Sequence, residues 1–195
     1  MKRKTTKKLV VFVCTGNTCR SPMAEAIFRQ KTTEIGLVKL KIVSAGTKAK
    51  KGDTLNEKSA RLLEEKGILP AEFSAKKVDK RMLTQSLAIV CMTDSQRDLL
   101  MELRWQALRS MPEFAEEEIQ NNVYSFSELA GYEVLDPYGR DMDCYRYVYR
   151  LIDNAKEIVL DKLVPESIRN TYKERTKKTV TSRKKKTVTT VEKGE

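Results

Sequence analysis

A short apolar segment that runs directly into a glycine-containing turn is the feature that most constrains the fold of this chain. Leu9-Val-Val-Phe-Val13 is continuous and rich in β-branched residues, as is typical of a strand buried on both faces of a sheet. Beyond the turn, Ser21 followed by Pro22 predicts a helix start with a capping serine and proline at the first helical position. Its predicted apolar face consists of Met23, Ala24, Ile27 and Phe28. A buried strand, a turn and a helix in succession indicate an α/β fold.

The rest of the chain repeats this alternation of strands and helices. Apolar, β-branched segments predict further strands over residues 39–45, 86–92 and 122–126, and helical periodicity predicts helices over 56–66, 95–104 and 143–163. The last helix is predicted to bury Tyr147, Leu151, Ala155, Ile158 and Val159. Such alternation predicts a three-layer α/β fold, a four-stranded parallel sheet flanked by helices, with ligands bound outside the carboxyl ends of the strands. Cys14 follows the first strand at that edge.

The positive charge of this protein is confined to its two ends. The chain carries a formal net charge of +11, yet residues 9–165 contain 23 basic and 23 acidic residues. We therefore predict a basic N-terminal extension over 1–8, one folded domain over 9–165 and a basic, disordered tail over 166–195. The ends are interpreted either as solvated flanks or as a tether to an anionic surface; any nucleic-acid binding would act only through them.

The cysteine and histidine content narrows the chemistry. Four cysteines in apolar, strand-like surroundings, with no export signal, indicate a reducing cytoplasm rather than a disulfide framework. No apolar stretch is long enough to span a membrane. The absence of histidine and of any Cys-x-x-Cys pair argues against a metal site and excludes every Cys-His or Ser-His mechanism. Any nucleophile must therefore be activated by hydrogen bonds, a helix dipole or a cation.

A cysteine followed six positions later by an arginine can wrap a loop around a tetrahedral anion. The intervening backbone N–H groups point inward and the arginine grips two oxygens. This spacing occurs at Cys14 to Arg20, at Cys91 to Arg97 and at Cys144 to Arg150. Only the first copy combines a strand, a glycine turn and a helix N-terminus, all of which favour a bound anion and a thiolate.

The other two copies are interpreted as structural. The segment after Cys91 lacks glycine, and Asp94 would repel a phosphate, so Cys91 is predicted to end a strand. Cys144 lies within the last predicted helix, where intrahelical hydrogen bonds already occupy the backbone N–H groups.

The segment Cys14-Thr-Gly-Asn-Thr-Cys-Arg-Ser-Pro22 resembles the low-molecular-weight protein tyrosine phosphatase family. The resemblance runs from about residue 9 to 163 and includes Ser44-Ala-Gly46, Met92-Thr-Asp and Asp136-Pro-Tyr-Gly139. It implies a four-stranded parallel sheet, a phosphocysteine intermediate, phosphorylated protein substrates and no metal or organic cofactor. It also implies that Cys14 attacks phosphorus, Arg20 and the loop amides hold the phosphoryl oxygens, and Asp136 protonates the leaving group.

Supporting roles follow for the rest of the phosphate loop, residues 14–21. We expect Asn17 to adopt the left-handed conformation of a tight turn, and Ser21 to cap the helix while donating a hydrogen bond to the thiolate. Ser44 is predicted either to bond to Asn17 or to be a plain strand-end residue. The resemblance implies that Cys19 can form a reversible disulfide with Cys14, as the corresponding cysteines do in the family; the alternative is that Cys19 is a packing thiol.

One loop position bears on the substrate. In the family that this loop resembles, an aliphatic residue at the position of Thr18 is typical of tyrosine phosphatases, whereas a threonine there is typical of bacterial protein arginine phosphatases. Thr15 and the turn containing Tyr138 favour the second branch, and Gly16 lets the loop approach the phosphoryl group. Phe73 stands where relatives often carry a histidine that braces the loop. The sequence predicts a monomeric, cytoplasmic protein arginine phosphatase, with phosphotyrosine hydrolysis as the alternative.

Two functions from other classes are alternatives. Arsenate reduction uses a similar thiolate but needs further cysteines to resolve an arsenic adduct, and Cys91 and Cys144 lie in a predicted strand and helix. A nucleic-acid-binding protein would depend on the basic ends, for which the neutral central region gives no support.

Overall fold

The computed structural model describes residues 8–111 and 121–166. The predicted extension 1–8, apart from its last residue, and the predicted tail 166–195, apart from its first, lie outside the described residues, so the three-part organisation stays a prediction. None of the described helices is long and apolar enough to cross a membrane.

Within the described residues, four parallel strands form one sheet in the order β2-β1-β3-β4. The strands are β1 (Leu9–Cys14), β2 (Lys41–Gly46), β3 (Ala88–Cys91) and β4 (Val123–Ser125). The described helices are α1 (Arg20–Glu34), α2 (Glu57–Glu65), α3 (Lys80–Gln85), α4 (Asp94–Arg109), α5 (Phe126–Ala130) and α6 (Met142–Leu163). The three-layer fold predicted from the sequence is confirmed, whereas the short helices α3 and α5 were not predicted.

The central strand β1 is buried on both faces, as its continuous apolar sequence predicted. Val10 and Phe12 join the larger core, to which α1 and α6 contribute, while Val11 and Val13 join the smaller core that contains residues of α3 and α4. Side chains alternate between the two faces of a strand, so each core needs an apolar residue at every second position. Both neighbours of β1 are parallel, so its last residue, Cys14, lies where the strands end together.

The apolar face predicted for α1 is confirmed, and that predicted for α6 is partly wrong. Tyr147 and Ile158 are each 47% exposed. The buried stripe of α6 instead runs through Tyr145, Val148, Tyr149, Ile152, Ala155, Val159, Leu160 and Leu163. Apolar residues occupy more than one side of this helix, so the sequence pattern alone is ambiguous. Packing against α1, α2 and α5 selects the stripe that is buried.

Candidate active site

The phosphate loop connects the end of β1 to the start of α1. Cys14 is the last residue of β1, and its side chain is buried. Its Sγ accepts a hydrogen bond from the Asn17 backbone N–H at 3.3 Å and lies 3.0 Å from Ser21 Oγ. One loop amide and a hydroxyl from the first turn of α1 therefore contact this sulfur, at a helix N-terminus, which is a location that suits a bound anion.

Ser21 contacts the sulfur as expected, but it does not cap the helix. Helix α1 begins at Arg20, with Cys19 at the N-cap position and no side-chain capping bond, so Ser21 is the second helical residue. Its Oγ donates to the Ala45 carbonyl at 3.1 Å and accepts from Asn17 Nδ2 at 3.0 Å. Since a hydroxyl has one proton to donate, that proton can turn to Cys14 when the sulfur is ionised.

Asn17 holds the turn of the loop. Its φ of 56° makes it the one non-glycine residue with positive φ in the part of the chain that the structure describes, which confirms the left-handed conformation predicted for it. Besides donating to Ser21, its side chain accepts a hydrogen bond from the Lys76 backbone N–H at 2.8 Å. The amide therefore joins the loop to the segment after Phe73, so a backbone N–H group braces it in place of a histidine side chain.

The proposed bond between Ser44 and Asn17 is wrong. Ser44 Oγ donates instead to Glu25 Oε2 on α1 at 2.6 Å. The Asn17 side chain bonds instead to Ser21 and to the Lys76 N–H. Ser44 thus links β2 to α1 and reaches the loop only through its neighbour Ala45, whose carbonyl group accepts from Ser21.

Gly46 is what allows β2 to pack against the loop. A Cβ atom at this position would lie 2.5 Å from the Thr15 carbonyl oxygen and 2.9 Å from the Asn17 nitrogen. Directly after it, the backbone N–H groups of Thr47 and Lys48 donate to the carbonyls of Cys14 and Thr15, each at 2.9 Å. The loop is therefore fastened along its outer side, which leaves its other side to a ligand.

Arg20 connects the loop to the distant Asp136. The guanidinium group is buried, and its Nη2 donates to Asp136 Oδ2 at 2.6 Å. Its Nη1 donates to the Val134 carbonyl at 3.1 Å. The Val134 N–H in turn donates to the carbonyl of Met92, the residue directly after β3. Among the described residues, Arg20 Nε has no hydrogen-bond partner. Arg20 thus holds the segment that carries Asp136 against the phosphate loop, and its Nε–H group remains available to a ligand.

Two buried side chains that the sequence did not mark as site residues support the loop. Gln96, on α4, donates from Nε2 to Thr15 Oγ1 at 3.0 Å and accepts from the Met92 N–H at 3.1 Å. Tyr145, on α6, places its hydroxyl 3.4 Å from Cys19 Sγ. Their one sequence signal is polarity on a buried helix face, which cannot by itself point to a partner more than 80 residues away.

The environment of Cys19 differs from that of Cys14. Burial raises the pKa of the Cys19 thiol, although the neighbouring hydroxyl of Tyr145 acts in the opposite direction. Burial likewise raises the pKa of Tyr145. Both groups therefore stay protonated at neutral pH, and Cys19 packs in the core as a thiol beside the nucleophile. This geometry is compatible with either role predicted for Cys19.

Eight of the eleven site residues predicted from the sequence line one cavity of about 340 Å³, whereas Asn17, Ser21 and Ser44 do not. Its lining consists of Cys14, Thr15, Gly16, Thr18, Cys19, Arg20, Asp53, Asp136 and Tyr138. Tyr138 is 71% exposed at its rim, and the Asp136 carboxylate accepts from the Tyr138 N–H at 3.2 Å. Asp53 was not predicted. A nucleophilic sulfur, an arginine and a carboxylate thus face a space large enough for a phosphorylated side chain.

Comparison with known proteins agrees with this arrangement. Residues 9–171 match the family model described as low molecular weight phosphotyrosine protein phosphatase. The chain belongs to this family. It is therefore a cysteine-dependent protein phosphatase, as the resemblance of the phosphate loop implied.

Both branches of the family are represented among its relatives. The chain is 29% identical to a protein-arginine-phosphatase of Geobacillus stearothermophilus, over 79% of this chain and 92% of the relative. It is 32% identical to low molecular weight protein-tyrosine phosphatase A of Mycobacterium bovis, over 75% and 85%. Since these identities are close, they do not separate the two substrates.

Solved structures give the same picture. The structure of the YwlE arginine phosphatase from Geobacillus stearothermophilus matches with a TM-score of 0.65 at 26% identity, covering 80% of this chain and 92% of that one. A low molecular weight protein tyrosine phosphatase from T. tengcongensis matches with a TM-score of 0.66 at 29% identity, covering 80% and 99%. The fold is thus shared by phosphatases of both kinds.

The two other Cys-x5-Arg segments of this phosphatase are structural, as predicted. Cys91 ends β3 with a fully buried side chain, and burial raises the pKa of its thiol far above the ordinary range. Cys144 lies in the first turn of α6. Neither Cys91 nor Cys144 lines the cavity, so neither is placed to resolve an arsenic adduct on Cys14. No cluster of three potential metal ligands occurs within residues 8–111 and 121–166.

Proposed function

We propose that this phosphatase hydrolyses phosphoarginine on proteins, with Cys14 as nucleophile, Arg20 as phosphate-binding residue and Asp136 as general acid and base. The observation that carries the choice of phosphoarginine is Thr18, whose hydroxyl-bearing side chain lines the cavity where an aliphatic residue is typical of the tyrosine branch. The catalytic roles are supported by the convergence on one cavity of Cys14 and Arg20, from the phosphate loop, and the distant Asp136.

In the first step, the Cys14 thiolate attacks phosphorus and forms a P–S bond. The P–N bond breaks, its electron pair stays with the leaving guanidine nitrogen, and that nitrogen takes a proton from Asp136. Arg20 and the inward N–H groups of the loop stabilise the charge on the phosphoryl oxygens. Thr15, Asn17 and Ser21 keep these groups in place through the contacts described above, and Gly16 lines the cavity between them.

In the second step, water attacks the phosphocysteine. Asp136, now a carboxylate, takes a proton from that water as the P–S bond breaks, which releases inorganic phosphate and restores the thiolate. The same carboxylate therefore serves twice, and its position is maintained by Arg20 and by the Tyr138 N–H. No cofactor takes part in this scheme.

The lining of the cavity suits a polar leaving group. Thr15 and Thr18 place two hydroxyl-bearing side chains among the neutral residues, and Tyr138 is the aromatic residue of the lining. A guanidine can hydrogen-bond to hydroxyls and carboxylates around it, whereas a phenyl ring depends on apolar and aromatic walls. A side chain of the aliphatic type at position 18 would also narrow the space beside the phosphoryl group.

Phosphotyrosine hydrolysis is the second candidate, and Tyr138 is the observation that favours it. An exposed aromatic ring at the cavity rim can stack on the phenyl ring of a substrate. The chemical steps would be the same, with a P–O bond broken in place of the P–N bond.

The two substrates are compared on one peptide that carries either phosphoarginine or phosphotyrosine at the same position. We expect a higher kcat/KM for phosphoarginine, and a clear preference for phosphotyrosine would reject the proposal. Thr18→Ile should shift the ratio toward phosphotyrosine, with Thr33→Val, at an exposed position of α1 outside the cavity, as the control for loss of a threonine hydroxyl. Cys14→Ser should abolish turnover of both peptides.

A further inference from the structure

The charges that face the catalytic cavity are unequal. Of its nine lining residues, one is basic and two are acidic, namely Arg20, Asp53 and Asp136. Arg20 and Asp136 form an ion pair at 2.6 Å. Asp53 is the acidic group left over, and no hydrogen bond or ion pair to its carboxylate occurs within residues 8–111 and 121–166. The cavity therefore presents one uncommitted negative charge.

Asp53 is held in place through its backbone. Its N–H donates to the Lys50 carbonyl at 3.2 Å, and its carbonyl accepts from the Ala75 N–H at 2.9 Å. Both backbone polar groups of Asp53 are therefore fixed, while its side chain remains exposed. A carboxylate anchored in this way loses less conformational freedom on binding a ligand than one on a free loop.

The location of Asp53 is at the leaving-group side of the cavity. A second cleft, of about 460 Å³, shares Thr18, Asp53 and Tyr138 with the cavity and continues along residues 54–58. This cleft does not reach Cys14 or Arg20, which are at the phosphate end. A phosphorylated side chain must extend from the phosphate end toward this cleft, so the atoms beyond phosphorus pass Asp53.

We propose that Asp53 is a specificity-determining residue that binds the guanidinium group of phosphoarginine. This inference rests on the proposed function and deepens it. A guanidinium carries positive charge and several N–H donors in a planar arrangement that matches a carboxylate. Once the P–N bond breaks and Asp136 has given up its proton, the leaving arginine is a full cation, which Asp53 stabilises.

The same carboxylate acts against the alternative substrate. A tyrosine leaving group is neutral when protonated and develops negative charge on its oxygen as the P–O bond breaks. Asp53 has no positive charge to pair with there, and a second carboxylate disfavours the developing phenolate. Asp53 therefore increases discrimination by favouring one substrate and disfavouring the other.

The competing interpretation is a solvated aspartate on a surface loop with no contact to substrate. Exposed carboxylates commonly contribute little, because water screens their charge. That interpretation predicts the same substrate ratio with and without the carboxylate, so the two can be separated by measurement.

The test uses Asp53→Asn, which preserves shape and removes charge, with the paired phosphoarginine and phosphotyrosine peptides as substrates. We expect kcat/KM for phosphoarginine to fall about fivefold to twentyfold, because the variant loses a charge-assisted hydrogen bond whose strength solvent exposure reduces. The kcat/KM for phosphotyrosine should be unchanged or rise. Asp53→Glu should restore part of the preference. Glu64→Gln, which removes an exposed carboxylate on α2 that lines neither the cavity nor the cleft, is the matched control and should leave the ratio within about twofold of the wild type.

An unchanged ratio in Asp53→Asn, or an equal fall for both peptides, would overturn the inference. In that case the wild-type preference for phosphoarginine would still be measured, and the proposed function would stand. A wild-type enzyme that prefers phosphotyrosine rejects the proposed function itself, and the role of Asp53 with it. The two failures are therefore distinguishable in one set of assays.

Discussion

Replacing Gly46 by alanine tests whether the close approach of β2 holds the phosphate loop in its working geometry. The new Cβ would lie 2.5 Å from the Thr15 carbonyl oxygen and 2.9 Å from the Asn17 nitrogen, against at least 3.4 Å in ordinary contacts. Both are backbone atoms of the loop, which cannot rotate away as a flexible side chain could. The Asn17 N–H is also the group that donates to Cys14 Sγ, so its displacement reaches the nucleophile.

The size of the effect follows from these distances. To restore ordinary contacts, the loop and β2 must separate by about 0.5 to 0.9 Å. Overpacking of this kind lowers the free energy of unfolding by about 1–3 kcal/mol. A displacement approaching 1 Å in a reacting geometry costs about 100-fold in rate, so kcat/KM for Gly46→Ala should fall about 30- to 100-fold.

The assay compares kcat/KM on an aryl phosphate with the urea midpoint of unfolding for the same samples. Gly67→Ala is the control, because this glycine has a φ of 68° with nothing within 4 Å of an added Cβ. It should lose about 1 kcal/mol of stability through backbone strain and keep its activity. If Gly46→Ala folds and retains kcat/KM within about threefold of wild type, the claimed role of the close approach is wrong.

Two further outcomes are expected. Gln96→Ala removes the hydrogen bond to Thr15 Oγ1 and should lower kcat/KM about twofold to tenfold; an unchanged kcat/KM would show that Gln96 does not support the loop. Burial raises the pKa of the Cys91 thiol from its ordinary value of 9.0, so the unfolded chain loses the thiol proton at a lower pH than the folded chain does. The stability that the protonated, buried thiol contributes is therefore present below pH 9 and is lost as the pH rises above it. Urea denaturation measures how far the free energy of unfolding falls between pH 8 and pH 10. This fall should be about 1 kcal/mol smaller in Cys91→Ala than in the control Cys144→Ala, which removes a half-buried thiol; equal falls would contradict the raised pKa of Cys91.

Much of the fold could be predicted because it depends on local patterns. The continuous apolar run of β1 predicted burial on both faces, and both cores are indeed built from its alternate residues. The short helices α3 and α5 were missed because six and five residues leave too little periodicity to detect. The buried face of α6 was assigned partly to the wrong stripe, since several apolar stripes run along that helix and only its neighbours select one.

The phosphate loop is determined by the sequence on its own. Cys14, Asn17, Arg20 and Ser21 lie within eight residues, so a strand, a left-handed turn and a helix start suffice to bring them together. Those are short-range preferences of the backbone, which residues 14–21 carry themselves.

Only the tertiary structure decides what surrounds this loop. The Val134 carbonyl, the Lys76 N–H and Gln96 each contact it from segments at least 55 residues away, and Asp53 joins the cavity without any motif to mark it. A hydrogen bond of this kind depends on where the parallel strands end and which segments meet there. That arrangement results from the packing of the whole sheet and its helices, which no local pattern encodes.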